Sequence, residues 1–388
     1  VVGCATHLLF LVLMGSKLSH LRSLPQCWLC RYTANHFLPQ RHTQITMQNQ
    51  LPVINLSRVD DPNQQADFYR ELRQTARDIG FFYLVGHGVD IAQIRAMERE
   101  ARAFFQLSAA QKNALAMEHS PQFRGYTGAK EEITRNQPDN REQIDIGAEL
   151  PVWENIPDDA PWLHLQGPNL WPQEADLPQF KTTVLAYQQI LREVAIKLLR
   201  AFLVALDQPE NALDDLIADP PVHLLKLVRY PASSAAADAQ GVGAHKDTDI
   251  LTLLLQDEVG GLEVETDHGW IAVPPLQDAF VINIGEILEL ATNGYLRANV
   301  HRVVTPQGKQ DRYSIAYFLA PHLNSRVPHL NLSTELKLLA LGPEADPSNP
   351  MFHQLGANSF KSRLRSHVAV SKKYYPQSYA QILQSPCD

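Results

Sequence analysis

Cysteine is scarce in this 388-residue chain. The four cysteines lie near the two ends, at Cys4, Cys27, Cys30 and Cys387. The sequence between them has no thiol, so no disulfide framework is predicted there. Cys27 and Cys30 form a Cys-x-x-Cys pair, but no second Cys/His pair follows at zinc spacing, and a metal or redox role is not favoured.

Positive charge is also limited. The chain has 34 Lys and Arg against 42 Asp and Glu, which gives a net charge of -8 and a pI near 6.0. No Lys/Arg-rich run with interleaved aromatic residues is present, so we predict no nucleic-acid partner. The apolar stretch 8–14 is too short for a bilayer, which needs about 20 residues, and no basic region precedes it. We expect a cytoplasmic protein without a membrane span, and we favour a monomer.

Acidic residues are missing from the first 46 positions, which differ in this way from the rest of the chain. Met47 then opens the segment MQNQLPVINLS. We interpret residues 1–46 as an extension, whose simplest explanation is a start codon assigned too far upstream.

Short apolar segments broken by Gly, Pro and Asp fill the region 241–321, a pattern typical of a β-sandwich or barrel. His245 and Asp247 are two residues apart, so in a strand both side chains point to one face while Lys246 points to the other. His301 follows 54 residues after Asp247 in the strand-like segment RANVHRVV. Two imidazoles and one carboxylate on one face of an octahedral ion leave three positions open, which suits non-haem iron(II) enzymes.

A second polar pair follows in the strand-like segment DRYSIAYFLAP. Arg312 and Ser314 alternate on one face of this segment, so the guanidinium and the hydroxyl are predicted to lie side by side. The planar guanidinium can bind a carboxylate through two hydrogen bonds and keeps its charge when buried. The pair therefore predicts a binding site for a dicarboxylate co-substrate beside the metal.

Helical apolar spacing marks the segments 67–80, 91–107 and 180–206. We expect the last of these to be a long helix that packs against the barrel, and the segment 361–384 to be a closing helical tail. The proposed organisation has four parts: an N-terminal extension (1–46), an N-terminal region (47–179), a long helix with the catalytic core (180–330) and a C-terminal tail (331–388).

Several motifs occur in one order along the chain: LPVINLS (51–57), ARDIGFFYLVGHGV (76–89), FRGYTG (123–128), REQIDIG (141–147) and LVRYP (227–231). Together with the His, Asp, Arg and Ser residues above, they resemble the isopenicillin N synthase-like family of iron(II)/2-oxoglutarate-dependent dioxygenases. The resemblance covers 51–321. It implies an α+β, mainly β fold with a double-stranded β-helix (jelly-roll) core, an N-terminal helical region and a helical C-terminal tail.

The resemblance assigns the catalytic iron ligands to His245, Asp247 and His301. Arg312 and Ser314 match the pair that binds the far carboxylate of 2-oxoglutarate.

Two further residues are implied to lie at the co-substrate site. Tyr230 matches a tyrosine that often hydrogen-bonds the same carboxylate, and Asn283 matches an asparagine that recurs near the site. Val228 departs from the pattern, because many relatives have asparagine at this position. The departure leaves the polar contacts of the pocket less defined than its metal ligands.

The resemblance implies an oxidoreductase that uses Fe(II), 2-oxoglutarate and dioxygen, with ascorbate as a candidate reductant. Such an enzyme oxidises a C–H bond of a small organic substrate by hydroxylation, desaturation or cyclisation. Three alternatives remain open at this point: an oxidase of the isopenicillin N synthase type that does not consume 2-oxoglutarate, a catalytically silent binding protein on the same fold, and a cupin-type or zinc enzyme. The sequence does not identify the substrate.

Overall fold

The computed structural model describes residues 50–232, 240–305, 309–343 and 351–384. The predicted N-terminal extension and all four cysteines lie outside the described residues.

Fourteen strands are present in the described ranges. They are β1 Val53–Asn55, β2 Phe81–Val85, β3 Gly125–Thr127, β4 Ile133–Thr134, β5 Gln137–Pro138, β6 Glu142–Gly147, β7 His223–Tyr230, β8 Gln240–His245, β9 Leu251–Gln256, β10 Leu262–Thr266, β11 Gly269–Ala272, β12 Phe280–Ile284, β13 His301–Val304 and β14 Arg312–Leu319.

Ten α-helices accompany them in the same ranges. They are α1 Gln65–Asp78, α2 Ile91–Gln106, α3 Ala109–Asn113, α4 Phe180–Ala205, α5 Asp214–Ile217, α6 Glu286–Ala291, α7 Thr334–Leu339, α8 Leu355–Ser366, α9 Val368–Tyr374 and α10 Pro376–Gln384.

The strands form two main sheets. The larger sheet has the order β1, β2, β12, β9, β14, β7, β6, β3, and the smaller has the order β11, β10, β13, β8. From β7 to β10 and from β12 to β14 the chain alternates between the two sheets, which is the winding of a double-stranded β-helix. The predicted jelly-roll core is therefore confirmed.

The large sheet buries both of its faces, as strand β2 shows. Phe82 and Leu84 belong to the apolar cluster that includes the inner sides of α1, α2 and α4. Phe81 and Tyr83 belong to a second cluster, which includes Val242 of the small sheet. Because successive side chains of a strand point to opposite faces, helices cover one face of the large sheet and the small sheet covers the other.

The helices agree with the apolar spacing of the sequence. The segment 67–80 contains most of α1, the segment 91–107 contains α2, and the segment 180–206 coincides with α4. The predicted tail 361–384 contains the second half of α8 together with α9 and α10. Helix α4 packs against β9 and β14, as its apolar spacing indicates. Within the described parts of the chain, no helix combines the length and the apolar character needed to cross a bilayer.

Candidate active site

The metal-ligand candidates converge at one end of the jelly roll. His301 opens β13 and pairs directly with His245 at the end of β8, so the two imidazoles are cross-strand neighbours with ring centroids 4.3 Å apart. Nε2 of His245 lies 3.6 Å from Oδ1 of Asp247, and Nε2 of His301 lies 3.7 Å from the same oxygen. Among the described residues, these three form the only cluster of His, Cys, Asp or Glu side chains that could hold one metal ion.

Asp247 is not in a strand, although strand alternation was the basis for predicting that it lies beside His245. Strand β8 ends at His245, and Asp247 lies in the irregular segment that follows it. Hydrogen bonds hold this carboxylate in place. Oδ2 of Asp247 accepts hydrogen bonds from Oγ1 of Thr252 at 2.5 Å and from Nδ2 of Asn283 at 2.8 Å. Both donors use Oδ2, so Oδ1 remains free for a cation.

The backbone orients both imidazoles. Nδ1 of His245 lies 2.8 Å from the carbonyl oxygen of Gly243, and Nδ1 of His301 lies 3.2 Å from that of Asn299. When Nδ1 carries the proton that is donated to a carbonyl, Nε2 keeps a free lone pair. In both histidines, Nε2 is the atom that faces Asp247, so the donor set matches a metal ion.

The charge states of His245 and Asp247 also suit metal binding. Burial and the neighbouring His301 lower the pKa of His245 to about 4, so this imidazole is neutral at pH 7, as a ligand must be. Burial alone would raise the pKa of Asp247, but the two histidines and the hydrogen bonds from Thr252 and Asn283 hold it below its usual value. The site therefore presents one carboxylate and at least one neutral imidazole before any cation binds.

Arg312 occupies the neighbouring part of the barrel. It is 1% exposed, although it carries a full positive charge. Nη1 lies 3.3 Å from Oγ of Ser314, Nη2 lies 3.3 Å from Oε1 of Gln256, and Nε has no hydrogen-bond partner among the described residues. The predicted side-by-side placement of Arg312 and Ser314 is therefore observed. A buried guanidinium with an unused donor fits an anionic ligand.

Tyr230 lies beside this pair. It is paired with Arg312 across β7 and β14, and the guanidinium carbon of Arg312 lies 4.8 Å from the centre of its ring. Val228 pairs with Ser314 in the same ladder, so the residue that departs from the family pattern borders the Arg312–Ser314 pair directly.

Three polar side chains contact the site residues that were predicted from the sequence. Asn283 contacts Asp247, so it belongs to the metal side of the site. Thr252 and Gln256 were not predicted, because their roles depend on strand pairing: Thr252 pairs with Asn283, and Gln256 pairs with Ser314. In the apolar run LTLLLQ (251–256), Thr252 and Gln256 are the two polar residues. Polar residues in an otherwise apolar strand are the one sequence signal that could have marked them as site residues.

A cavity of about 1320 Å³ opens beside His245 and Asp247. Its lining includes His245 and Asp247 together with residues of β4, β7 and α8. The lining carries many charges, among them those of Arg124, Lys226 and Arg363. A cavity of this size accommodates a small organic molecule.

Comparison with protein families agrees with this arrangement. Residues 51–174 match the family described as the N-terminal region of the non-haem dioxygenase in morphine synthesis, and residues 221–321 match the 2OG-Fe(II) oxygenase superfamily.

Individual relatives cover most of the chain. The 2-oxoglutarate-dependent dioxygenase frbJ of Dothideomycetidae sp. is 29% identical over 86% of this chain and 94% of its own length. A homoarginine-6-hydroxylase of Glycine max is 32% identical over 72% of this chain and 88% of its own. The crystal structure of a putative 2OG-Fe(II) oxygenase family protein from Caulobacter crescentus superposes with a TM-score of 0.65 at 28% identity, covering 80% of this chain and 97% of that one.

The fold, the site and these similarities define a class of non-haem oxygenase. The chain belongs to the 2OG-Fe(II) oxygenase superfamily, whose members are oxidoreductases that use Fe(II), 2-oxoglutarate and dioxygen. The similarities support the 2-oxoglutarate-dependent reading over the oxidase and the catalytically silent alternatives.

Proposed function

We propose that His245, Asp247 and His301 bind Fe(II), and that Arg312 and Ser314 bind the far carboxylate of 2-oxoglutarate. The enzyme then oxidises a C–H bond of a small organic molecule held in the adjoining cavity. The observation that carries the assignment is the convergence of three metal-donor side chains, whose ligand atoms lie within 4.8 Å of one another, in the barrel that also buries Arg312, whose Nε has no hydrogen-bond partner among the described residues. A cytoplasmic location and a monomeric state stay predictions.

The protein supplies orientation. Two carbonyl groups set the tautomers of His245 and His301, and Thr252 and Asn283 hold the carboxylate of Asp247 through Oδ2, which leaves Oδ1 for the metal. These three side chains would hold Fe(II) and leave room beside it for 2-oxoglutarate and dioxygen.

The co-substrate is held at its far end. Arg312 donates to the distal carboxylate of 2-oxoglutarate, with the hydroxyls of Ser314 and Tyr230 beside it. When bound, iron and 2-oxoglutarate supply the oxidising power, with succinate and carbon dioxide as the products of the co-substrate. Because Arg312 is almost fully buried, water does not compete for its hydrogen bonds.

Anaerobic titration with Fe(II) and then 2-oxoglutarate tests this proposal. We expect the weak visible charge-transfer band of an iron-chelated 2-keto acid in the wild type and loss of the band in Arg312→Ala at the same concentration. His245→Ala and Asp247→Ala should lose iron binding. The exposed Arg95 provides the matched control, and Arg95→Ala should keep the band.

The opposite outcomes are equally informative. Iron binding without the band would support the oxidase reading, in which Arg312 binds another anion. Full iron binding and activity in Asp247→Ala would show that the ligand assignment is wrong.

A further inference from the structure

Arg124, in the loop before β3, is a second buried cation without an ionic partner. It is 9% exposed and lines the same cavity as His245 and Asp247. Nη2 donates a hydrogen bond to the carbonyl oxygen of Leu165 at 3.1 Å, and Nε is sealed from solvent without a partner. No ion pair to Arg124 is present among the described residues. Because an arginine does not lose its proton at neutral pH, this charge remains in the cavity wall.

The neighbouring charges form ion pairs with one another and not with Arg124. They form an ion cluster with ion-pair distances between 2.5 and 3.7 Å, made of three acids and three bases: Glu132, Asp139, Asp145, Arg141, Lys226 and Arg363. Asp145 attracts Arg124 without a direct ion pair, and its carboxylate is already paired with Lys226 and Arg363. Three negative charges balance three positive charges. His367, which contacts the cluster, adds no charge at pH 7 because burial lowers its pKa to about 4.

The position of the guanidinium depends on a glycine. Arg124 lies over Gly147 at the end of β6, where a Cβ atom would overlap its Nη2 and Cζ atoms. The third nitrogen, Nη1, makes no hydrogen bond within the described chain and is not among the sealed atoms. Nη1 is therefore the donor that a molecule in the cavity can reach.

We infer that Arg124 binds a carboxylate group of the substrate, and that the substrate is therefore a small organic acid. A planar guanidinium recognises a planar carboxylate, and a single negative charge compensates the single unpaired cation. This inference rests on the proposed function, since it takes the cavity as the substrate site. Arg312 is separate from this role because it lies at the co-substrate position.

The sheet register places the anchor far from the metal ligands. Gly147 pairs with Leu224, Leu224 pairs with Phe318, and Phe318 pairs with Thr252, whose hydroxyl group contacts Asp247. Three strand spacings separate Gly147 from Thr252, which is about 14 Å along the sheet and less across the curved barrel. The oxidised carbon is therefore several bonds away from the carboxylate.

Binding of hexanoate, with hexanamide as the uncharged control, tests the anchor. Calorimetric titrations are made anaerobically with Fe(II) and saturating 2-oxoglutarate, so that Arg312 is already occupied. We expect hexanoate to bind the wild type and hexanamide to bind at least about tenfold more weakly, because a hydrogen bond to a charged group is lost. Arg124→Gln should weaken hexanoate binding by a similar factor and leave the charge-transfer band of 2-oxoglutarate unchanged.

Gly147→Ala provides a second variant that keeps the charge. Its new methyl group displaces the guanidinium, so hexanoate binding should weaken again while the protein retains Arg124. Equal binding of both probes to the wild type, no binding of hexanoate, or wild-type binding by Arg124→Gln would each overturn the inference. If the charge-transfer band did not appear in the wild type, this would instead count against the proposed function. The two outcomes are distinguishable because calorimetry measures hexanoate binding independently of that band.

Discussion

Nδ2 of Asn283 donates a hydrogen bond to Oδ2 of Asp247 at 2.8 Å. Asn283 lies on β12 in the large sheet, whereas Asp247 follows β8 of the small sheet. This bond connects the two sheets at the metal-ligand cluster, and it fixes which carboxylate oxygen faces the histidines.

Replacing Asn283 by Leu should weaken iron binding without removing a ligand. The substitution removes the donor and leaves Thr252 as the one remaining side-chain donor to Asp247. Loss of such an outer contact typically lowers metal affinity by about 10- to 100-fold. Anaerobic Fe(II) titration of the purified protein measures the change. Thr252→Val should have a similar effect, and unchanged affinity in both variants would contradict the assigned role of these bonds.

Replacing Arg312 by Lys should raise the KM for 2-oxoglutarate by about tenfold or more, because an ammonium group cannot form two parallel hydrogen bonds to a carboxylate. Initial rates of succinate release at varied 2-oxoglutarate concentration measure this. Arg302, which is 40% exposed in its side chain and pairs with Glu263, provides the control. If Arg302→Lys raised the KM as much as Arg312→Lys, the effect would not be specific to the co-substrate site.

His223 should make the metal-free protein less stable in acid. It is 7% exposed, and neither ring nitrogen has a hydrogen-bond partner among the described residues. Burial, together with Arg124 and Arg192, lowers the pKa of His223 to about 4. An unfolded histidine binds its proton near pH 6.5, so the unfolded state binds more protons between pH 6.5 and 4. Stability is therefore lost as the pH falls through this window, by on the order of 3 kcal/mol from this residue.

The variant His223→Phe isolates this contribution. Its free energy of unfolding, measured with urea, should decrease less between pH 7 and pH 4 than that of the wild type. The exposed His268 gives the matched control, since His268→Phe should keep the wild-type pH dependence. If the free energy of unfolding decreased equally with pH in His223→Phe and in the wild type, His223 would not be a buried neutral imidazole.

Helix α4 should be important for stability. Leu199 is fully buried in the cluster between this helix and the large sheet. Leu199→Ala removes methyl groups and leaves a cavity, which should lower the free energy of unfolding by about 2–5 kcal/mol. Leu338 of α7 is 82% exposed, and Leu338→Ala should change the free energy of unfolding by less than about 0.5 kcal/mol. Urea unfolding of both variants compares them, and similar losses would contradict the packing described for α4.

Much of the fold was predictable because local pattern and tertiary structure agree. The apolar spacing of the segment 180–206 identifies α4, and the alternation in the segment 311–321 identifies β14 with Arg312 and Ser314 on one face. The assignment of Asp247 to a strand was wrong, because β8 ends at His245. Its carboxylate still reaches the histidines because hydrogen bonds from Thr252 and Asn283 take the place of strand alternation.

The sequence by itself determined the chemical types of the site: two histidines, one aspartate and an Arg-x-Ser pair at spacings that suit an iron oxygenase. Residue spacing carries this information because side-chain direction follows the period of the local structure. Only the tertiary structure decided that Asn283 and Thr252 hold Asp247, that Gln256 contacts Arg312, and that Arg124 remains unpaired beside a balanced ion cluster. Strand pairing and burial produce these relationships between residues that are distant in the chain, and local spacing does not encode them.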